Sequence, residues 1–327
     1  MPDAGPEQTQ LEAQVDVGQR RSNMWTRGLV GAGLAVVLAG LMAGHSRVPN
    51  TIGNLGSLLE TFLPWLGWLC LPLAGWAVFR RSAGAGIALV LPVVVWMLMF
   101  AELVPDKSDG SHDLRVITHN VDVDNVDPDR TVQVLLDADA DVMALEELDE
   151  RASSTYQDAL ADDYPYQAQY GTVALWSRFP FTSSEPVDIE IGWTRAMRAQ
   201  LDTPGGATAV YVAHLASVRI GSDGFTSQQR DATAEALGRA IAAEPLDRVV
   251  LLGDLNGTVQ DRSLAPITYQ LRSTQAEAGS GFGFSWPAGF PMSRIDQILI
   301  RGMTAVDSWT LDRTGSDHLP LAADLAL

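Results

Sequence analysis

The chain has 327 residues, 40 Asp plus Glu against 22 Lys plus Arg, and a formal net charge of −18. An apolar content of 46% with 19% charged residues excludes a wholly disordered or low-complexity chain. A single cysteine excludes a disulfide scaffold and a cysteine-rich zinc module, and the acidic balance argues against a protein that holds nucleic acid mainly through a basic face.

Charge divides the sequence near Pro105. Residues 1–105 carry six acids and six bases, whereas residues 106–327 carry 34 acids and 16 bases and so the whole net charge. The front part contains three uncharged or nearly uncharged runs: 28–44, 62–79 with Pro64 and Pro72 inside it, and 84–105 with only Glu102 near its end. A membrane-spanning helix needs about 20 apolar residues, range about 17–25, so the composition predicts a bundle of three transmembrane helices over 28–105. Residues 1–27 are then a cytoplasmic tail, disordered by composition. Residues 106–113 form a linker, and 114–327 form an extracytoplasmic domain. The orientation follows from counting basic residues beside the spans: Arg20, Arg21, Arg27, Arg80 and Arg81 fall on one side, and Arg47, Lys107 and Arg115 on the other.

Beyond the linker, strands and helices alternate. Residues 114–118 read as a short β-rich strand. A helix over 131–136 is entered from Asp127-Pro128-Asp129, a capping sequence with proline near the first turn. Strands are predicted at 142–145, 172–176 and 207–213, a helix at 226–243, and further strands at 248–252 and 295–300. This pattern predicts one mixed α/β domain with a sizeable core.

Polar residues gather at the ends of these strands. His119 and Asn120 follow the first, Glu146 and Glu147 the second, and His214 ends VYVAH. Asp254 and Asn256 follow VVLLG, Arg294 and Asp296 open IDQILI, and Asp317-His318 lies in GSDHLP. Ligands in α/β proteins gather outside strand ends. Hard oxygen donors suit Mg²⁺ or Mn²⁺, and histidines beside carboxylates suit water activation or phosphate contact. His119 is expected to pack at its strand end, and His45 and His112 to be solvated in linkers. The loop 279–293 carries Phe282, Phe284, Trp286 and Phe290, which could either meet substrate or membrane or cover the core.

The ordered pieces VITHNVD, DVMALEEL, VALWSRFPF, VYVAHL, VVLLGDLN, SRIDQILI and GSDHLP make residues 114–327 resemble the endonuclease/exonuclease/phosphatase superfamily of metal-dependent phosphoesterases. The order of apolar runs followed by this domain is similar to the teicoplanin-resistance membrane phosphoesterases of the VanJ type. The resemblance implies two packed mixed β-sheets flanked by helices, a four-layer sandwich, behind the three spans. It implies a metal site of Glu147, Asn120 and Asp317 with Mg²⁺ or Mn²⁺. Glu146 stands where relatives carry Gln and is expected to add charge near the metal; Asp122 is a weaker match to a further acid. His214 would contact the scissile phosphate, Asp254 orient the attacking water, and Asn256 bind phosphate. Asp296 would hold His318, and His318 would act as general base or phosphate contact.

Three functions then compete. The first is a membrane-anchored phosphatase or phosphoesterase whose partner is the bilayer and whose substrate is lipid-linked phosphate, such as undecaprenyl diphosphate or a phospholipid headgroup. The second is an extracellular nuclease using Arg178, Arg195, Arg198 and Arg219 as a local basic groove. The third is a catalytically idle module on a membrane anchor.

Overall fold

The computed structural model describes residues 24–51, 53–221 and 224–327, so most of the predicted tail lies outside the described residues. The chain divides into two compact units, one formed by residues up to Ala43 together with Trp65–Trp96, the other by Gly44–Pro64 together with Met97–Leu327.

The N-terminal part is helical: α1 (Leu29–Ala43), α2 (Leu55–Thr61), a 3₁₀ segment (Leu63–Leu69) leading into α3 (Cys70–Phe79), α4 (Ala83–Ala88) and α5 (Val90–Phe100). Within the first unit the packing uses small residues. A Cβ on Gly28 would fall 2.4 Å from Ser82 Oγ, and one on Gly31 2.9 Å from Trp76. Ser82 caps α4, its hydroxyl accepting from the Ala85 amide at 3.2 Å.

The expected three spans reduce to one. Among the described residues, only the continuous helix Ala83–Leu103, 21 residues long, is long and apolar enough to cross a membrane. α1 has 15 residues, about 22 Å at 1.5 Å rise and short of a bilayer core of about 30 Å. The run 62–79 passes only as a pair of helices broken sharply beside Phe62. Orientation loses its footing with the count: a lone span has Arg80 and Arg81 before it and Lys107 and Arg115 after it, a balanced set.

The second unit is a sandwich of two six-stranded mixed sheets. Its elements are β1 (Leu114–Asn120), α6 (Pro128–Asp137), β2 (Val142–Glu146), α7 (Glu150–Leu160), β3 (Tyr166–Tyr170), β4 (Val173–Ser177), β5 (Phe181–Pro186), β6 (Ala196–Thr203), β7 (Gly206–Ala213), a small ladder of β8 (Ile220–Gly221) and β9 (Gly224–Phe225), α8 (Gln228–Ala242), β10 (Val249–Asp254), β11 (Arg272–Ser273), β12 (Asp296–Arg301), β13 (Thr304–Thr310) and β14 (Leu321–Ala326). The sheet orders are β13-β14-β1-β2-β4-β3 and β11-β12-β10-β7-β6-β5. Asp127 caps α6 as predicted, its carboxylate accepting from the Arg130 amide at 3.0 Å. Among the longer strands the sequence pattern missed β3, β5, β6, β13 and β14, whose residues mix polar and apolar types at sheet edges or close to them.

Strand alternation explains the layers. Leu114 and Val116 of β1, Val142 and Ala144 of β2, Val210 and Val212 of β7, Val250 and Leu252 of β10, and Ile298 and Ile300 of β12 fill the space between the sheets. Their neighbours of opposite phase face helices: Leu251 and Leu299 pack with Leu237 and Ile241 of α8, and Ile117 and Met143 with Leu135 of α6 and Leu160 of α7. The result is helix, sheet, sheet, helix.

Candidate active site

The inter-sheet phase does not stop where the apolar residues end. Counting by two from Val116 reaches Thr118 and Asn120; from Ala144, Glu146; from Val212, His214; from Leu252, Asp254; and back from Ile298, Asp296. β1 and β2 run parallel with Asn120 opposite Glu146, and β10 pairs with β12 so that Asp254 lies opposite Asp296. The same face that supplies the core therefore supplies a polar cluster at one end of the sandwich. All of these side chains are at least nine-tenths buried.

The contacts cross from sheet to sheet. Asn120 Nδ2 donates to Asp254 Oδ2 at 3.2 Å, while its Oδ1 accepts from the Asp122 amide at 3.0 Å. The Asn256 amide donates to Asp254 Oδ1 at 2.8 Å, and its side-chain Nδ2 reaches Leu215 O and Asp254 Oδ2. His318 Nδ1 lies 3.0 and 2.9 Å from the two oxygens of Asp296, and Ser285 Oγ donates to Asp296 Oδ2 at 2.5 Å. His318 Nε2 lies 3.8 Å from Asp254 Oδ2 and 3.7 Å from Asp317 Oδ1. His214 Nε2 lies 3.6 Å from both Glu147 Oε1 and Asp254 Oδ2. Glu147 falls one residue past the inward phase, and its positive φ of 62° turns the chain there. Asp317 is held by the Trp286 indole, which donates to Oδ2 at 3.0 Å.

Burial and charge set the protonation states. Burial disfavours a charged His318, but Asp296 and Asp254 beside it push its pKa up to about 10. Burial would raise Asp296, yet the His318 imidazolium holds it below the usual carboxylate range. Asp254 is raised to about 7 by burial and by Asp296, against the pull of His318. His214 goes the other way: burial, then the Arg195 guanidinium, drive it well below the usual range, so it is neutral. Its Nε2 faces Arg195 Nη2 and is the acceptor.

Three expectations need correction. Glu146 adds no charge near a metal. It is fully buried, and burial raises its pKa well above the usual range. It accepts from Thr118 Oγ1 at 2.8 Å and stands in as a neutral group the size of Gln. His45 and His112 are not simply solvated: His45 Nδ1 lies 2.9 Å from Glu60 and His112 Nδ1 3.0 Å from Asp324. The basic groove does not form. Arg178 pairs with Asp139, Arg198 grips Glu244 through two nitrogens, and Arg195 is buried against His214. Arg219 alone of the four lines the cleft. Sequence reasoning thus placed Arg195 in a groove and missed it as the partner of His214; the available signal was an arginine immediately before β6, the strand paired with the one that leads to His214. His119 packs as expected, neutral, its pKa lowered to about 3 by burial. The loop 279–293 divides: Phe282 stacks on Phe284 with centroids 5.1 Å apart and meets Phe100 edge-on, whereas Trp286 reaches the cleft.

Glu147, Asp122, Asp254, Asn256, Asp317 and His318 open into one cleft of about 650 Å³. The donor set fits a hard divalent cation. Glu147, Asp122 and Asp317 bring carboxylate oxygens to the same opening, and Asp122 is raised by burial and by repulsion from Asp317 and Glu147, the behaviour of acids lacking a counter-charge. Asp254, Asp296 and His318 approach within 4.8 Å of one another and could also be read as a metal group. Asp296 is already committed to His318 and Ser285, so those three make an acid–imidazole dyad beside Asp254 and not a coordination shell.

Residues 117–318, more than half of the chain, match the Endonuclease/Exonuclease/phosphatase family. The chain belongs to that family. Its members are phosphoric ester hydrolases, and this chain is one of that class. No curated protein matches the sequence. Similar solved structures include D. rerio TDP2 complexed with a single-strand DNA product (18% identity, 65% of this chain and 99% of that one, TM-score 0.56). Sphingomyelinase C from Streptomyces griseocarneus is another (20%, 65% and 99%, TM-score 0.51). A third is a variant of beta toxin from Staphylococcus aureus with bound magnesium ions (16%, 65% and 99%, TM-score 0.50). At these identities they establish the fold.

Proposed function

We propose that this phosphoric ester hydrolase is membrane-anchored, depends on a divalent metal, and acts on lipid-linked phosphate or diphosphate of the undecaprenyl diphosphate or phospholipid type. The observation that carries the reading is the convergence of Glu147, Asp254, Asp317, His214 and His318, contributed by separate strands and loops, on one end of the sandwich.

The residues divide the work by protonation state. His318, held as a cation by Asp296, presents Nε2–H to a phosphoryl oxygen. Asp254, poised near neutrality and fixed by the Asn120 amide and the Asn256 backbone, takes a proton from the attacking water. His214 and Arg195 set a buried cation behind the site, where developing negative charge is best stabilised. Mg²⁺ or Mn²⁺ held by Glu147 and Asp317, with Asn120 orienting the site, would neutralise phosphoryl oxygens and stabilise the leaving oxygen.

The lipid part of the reading rests on the tether. Ala83–Leu103 is apolar enough to span a bilayer, and residues 106–113 reach at most ~3.3–3.6 Å each. A domain anchored this way stays at the membrane surface, among headgroups. A VanJ-like role in antibiotic resistance, through a lipid carrier of wall precursors, belongs to the same reading. The nuclease alternative loses its basic groove to ion pairs within the domain.

The test is purified full-length protein in detergent with Mg²⁺ or Mn²⁺, offered undecaprenyl diphosphate, a phospholipid panel and supercoiled plasmid. Phosphate or headgroup release from lipid supports the proposal. Plasmid nicking without lipid turnover overturns it in favour of a nuclease, and no turnover of any substrate overturns it in favour of an idle module.

A further inference from the structure

Helix α2 lies between two apolar runs in sequence, yet it packs into the catalytic unit. Its Glu60 is fully buried and accepts from the Arg262 backbone at 3.1 Å and from Arg262 Nη2 at 2.9 Å. Thr258 Oγ1 donates to Glu60 O, and Ser57 Oγ to Asp261 Oδ1. The other oxygen of Asp261 accepts from Arg230 Nη2 at 2.6 Å, and Arg230 Nη1 donates to Asn256 O at 2.8 Å. At the start of the helix, Asn54 Nδ2 donates to Phe225 O, and the Phe225 amide to Gly53 O. α2 is thereby bolted to the loop 256–262, which begins with a residue of the active site.

The consequence appears at the end of the helix. Thr61 and Phe62 form part of the wall of the active-site cleft, and Ile220, Phe225 and Trp286 continue that wall. The cleft is thus two-sided in chemistry: acids and His318 on one part, an apolar surface on another. A phosphate seated at His318 must turn the remainder of its ester toward that surface. Phe62 also opens the uncharged run 62–79, so the wall is continuous along the chain with its apolar portion.

We infer that Phe62, held in place by the Glu60–Arg262 pair, is a specificity-determining residue that packs against the apolar chain of the substrate, a phosphate or diphosphate of a long-chain apolar alcohol. This rests on the phosphoesterase reading above and deepens it by naming what selects the substrate. Arg262 is a positioning residue, acting through α2.

The test compares farnesyl diphosphate with dimethylallyl diphosphate, which share an allylic diphosphate and differ in chain length, on the full chain in detergent. The readout is the ratio of kcat/KM for the long substrate to that for the short one. Wild type is expected to favour the longer chain by about 10-fold or more, since each buried methylene contributes to transfer from water. Phe62→Ala and Arg262→Gln should each cut the ratio at least fivefold, while Phe62→Leu keeps most of it. A wild-type ratio near one, or a ratio unmoved in Phe62→Ala, overturns the inference and leaves the phosphoesterase reading intact. Failure of wild type to hydrolyse either diphosphate while it still releases phospholipid headgroups overturns the inference alone, and failure on every lipid phosphate overturns the lipid reading with it.

Discussion

His318 Nδ1 lies within 3.0 Å of both carboxylate oxygens of Asp296, a residue 22 positions earlier on the neighbouring sheet. Each partner shifts the other toward its charged form, and the shifts give a pH window. His318 is raised above its unfolded value, so its contribution to stability is complete below about 6.5 and fades as pH rises toward 10. Asp296 is lowered, so its contribution is present above about 3.9 and fades as pH falls below that. Thermal melts of metal-free protein should show His318→Asn costing most between about pH 4 and 6.5 and progressively less toward pH 10. A cost that grows with pH would contradict the pair.

Glu146 offers the opposite sign. Its pKa is raised by burial, so the native state holds a proton that the unfolded state releases above about 4.3. Stability therefore drains away as pH rises. Glu146→Gln, a neutral group of the same size, should retain activity and melt close to wild type at pH 5 but above it at pH 9. Loss of activity with unchanged folding would return Glu146 to the chemistry.

Asp254 is the only carboxylate of the cluster placed near neutrality beside the imidazolium of His318. On the proposal that Asp254 takes the proton from water, its replacement by Asn should cost about 10²–10⁴ in kcat with little change in KM. Steady-state kinetics on one lipid diphosphate would check this. A loss confined to KM would reassign Asp254 to binding.

The Glu60–Arg262 pair joins a fully buried carboxylate to a partly exposed guanidinium. Removing the cation leaves Glu60 with His45 and the backbone amide of residue 262 as its partners. Breaking a fully buried pair costs about 3–5 kcal/mol; with Arg262 reaching solvent, Arg262→Gln should cost about 2 kcal/mol in chemical denaturation. A cost near zero would mean that α2 docks without the pair.

Much of this site was legible because strand periodicity and chemistry coincide. Asn120, His214, Asp254 and Asp296 continue the apolar phase of their own strands, so short β-rich runs ending in polar residues located them correctly. Arg195 was not legible in that way: its role comes from the backbone carbonyl and side chain that meet His214 across a strand pair, a tertiary relationship. The spans were over-read because composition measures apolarity but not continuity. Pro64 and the break beside Phe62 divide a run that reads as uniform, and α2, which carries the buried acid Glu60, belongs to the catalytic unit.

The central claim is that Glu147, just past β2, and His318, in the loop before β14, act on one phosphate. A double-mutant cycle measures it most directly: phosphate release from undecaprenyl diphosphate by wild type, Glu147→Ala, His318→Ala and the double variant, with Mg²⁺ and after chelation. Groups that serve the same transition state are strongly non-additive. Each single variant should lose nearly as much rate as the double, and chelation should abolish wild-type turnover. Losses that simply multiply, or turnover that survives both substitutions and chelation, would contradict the claim.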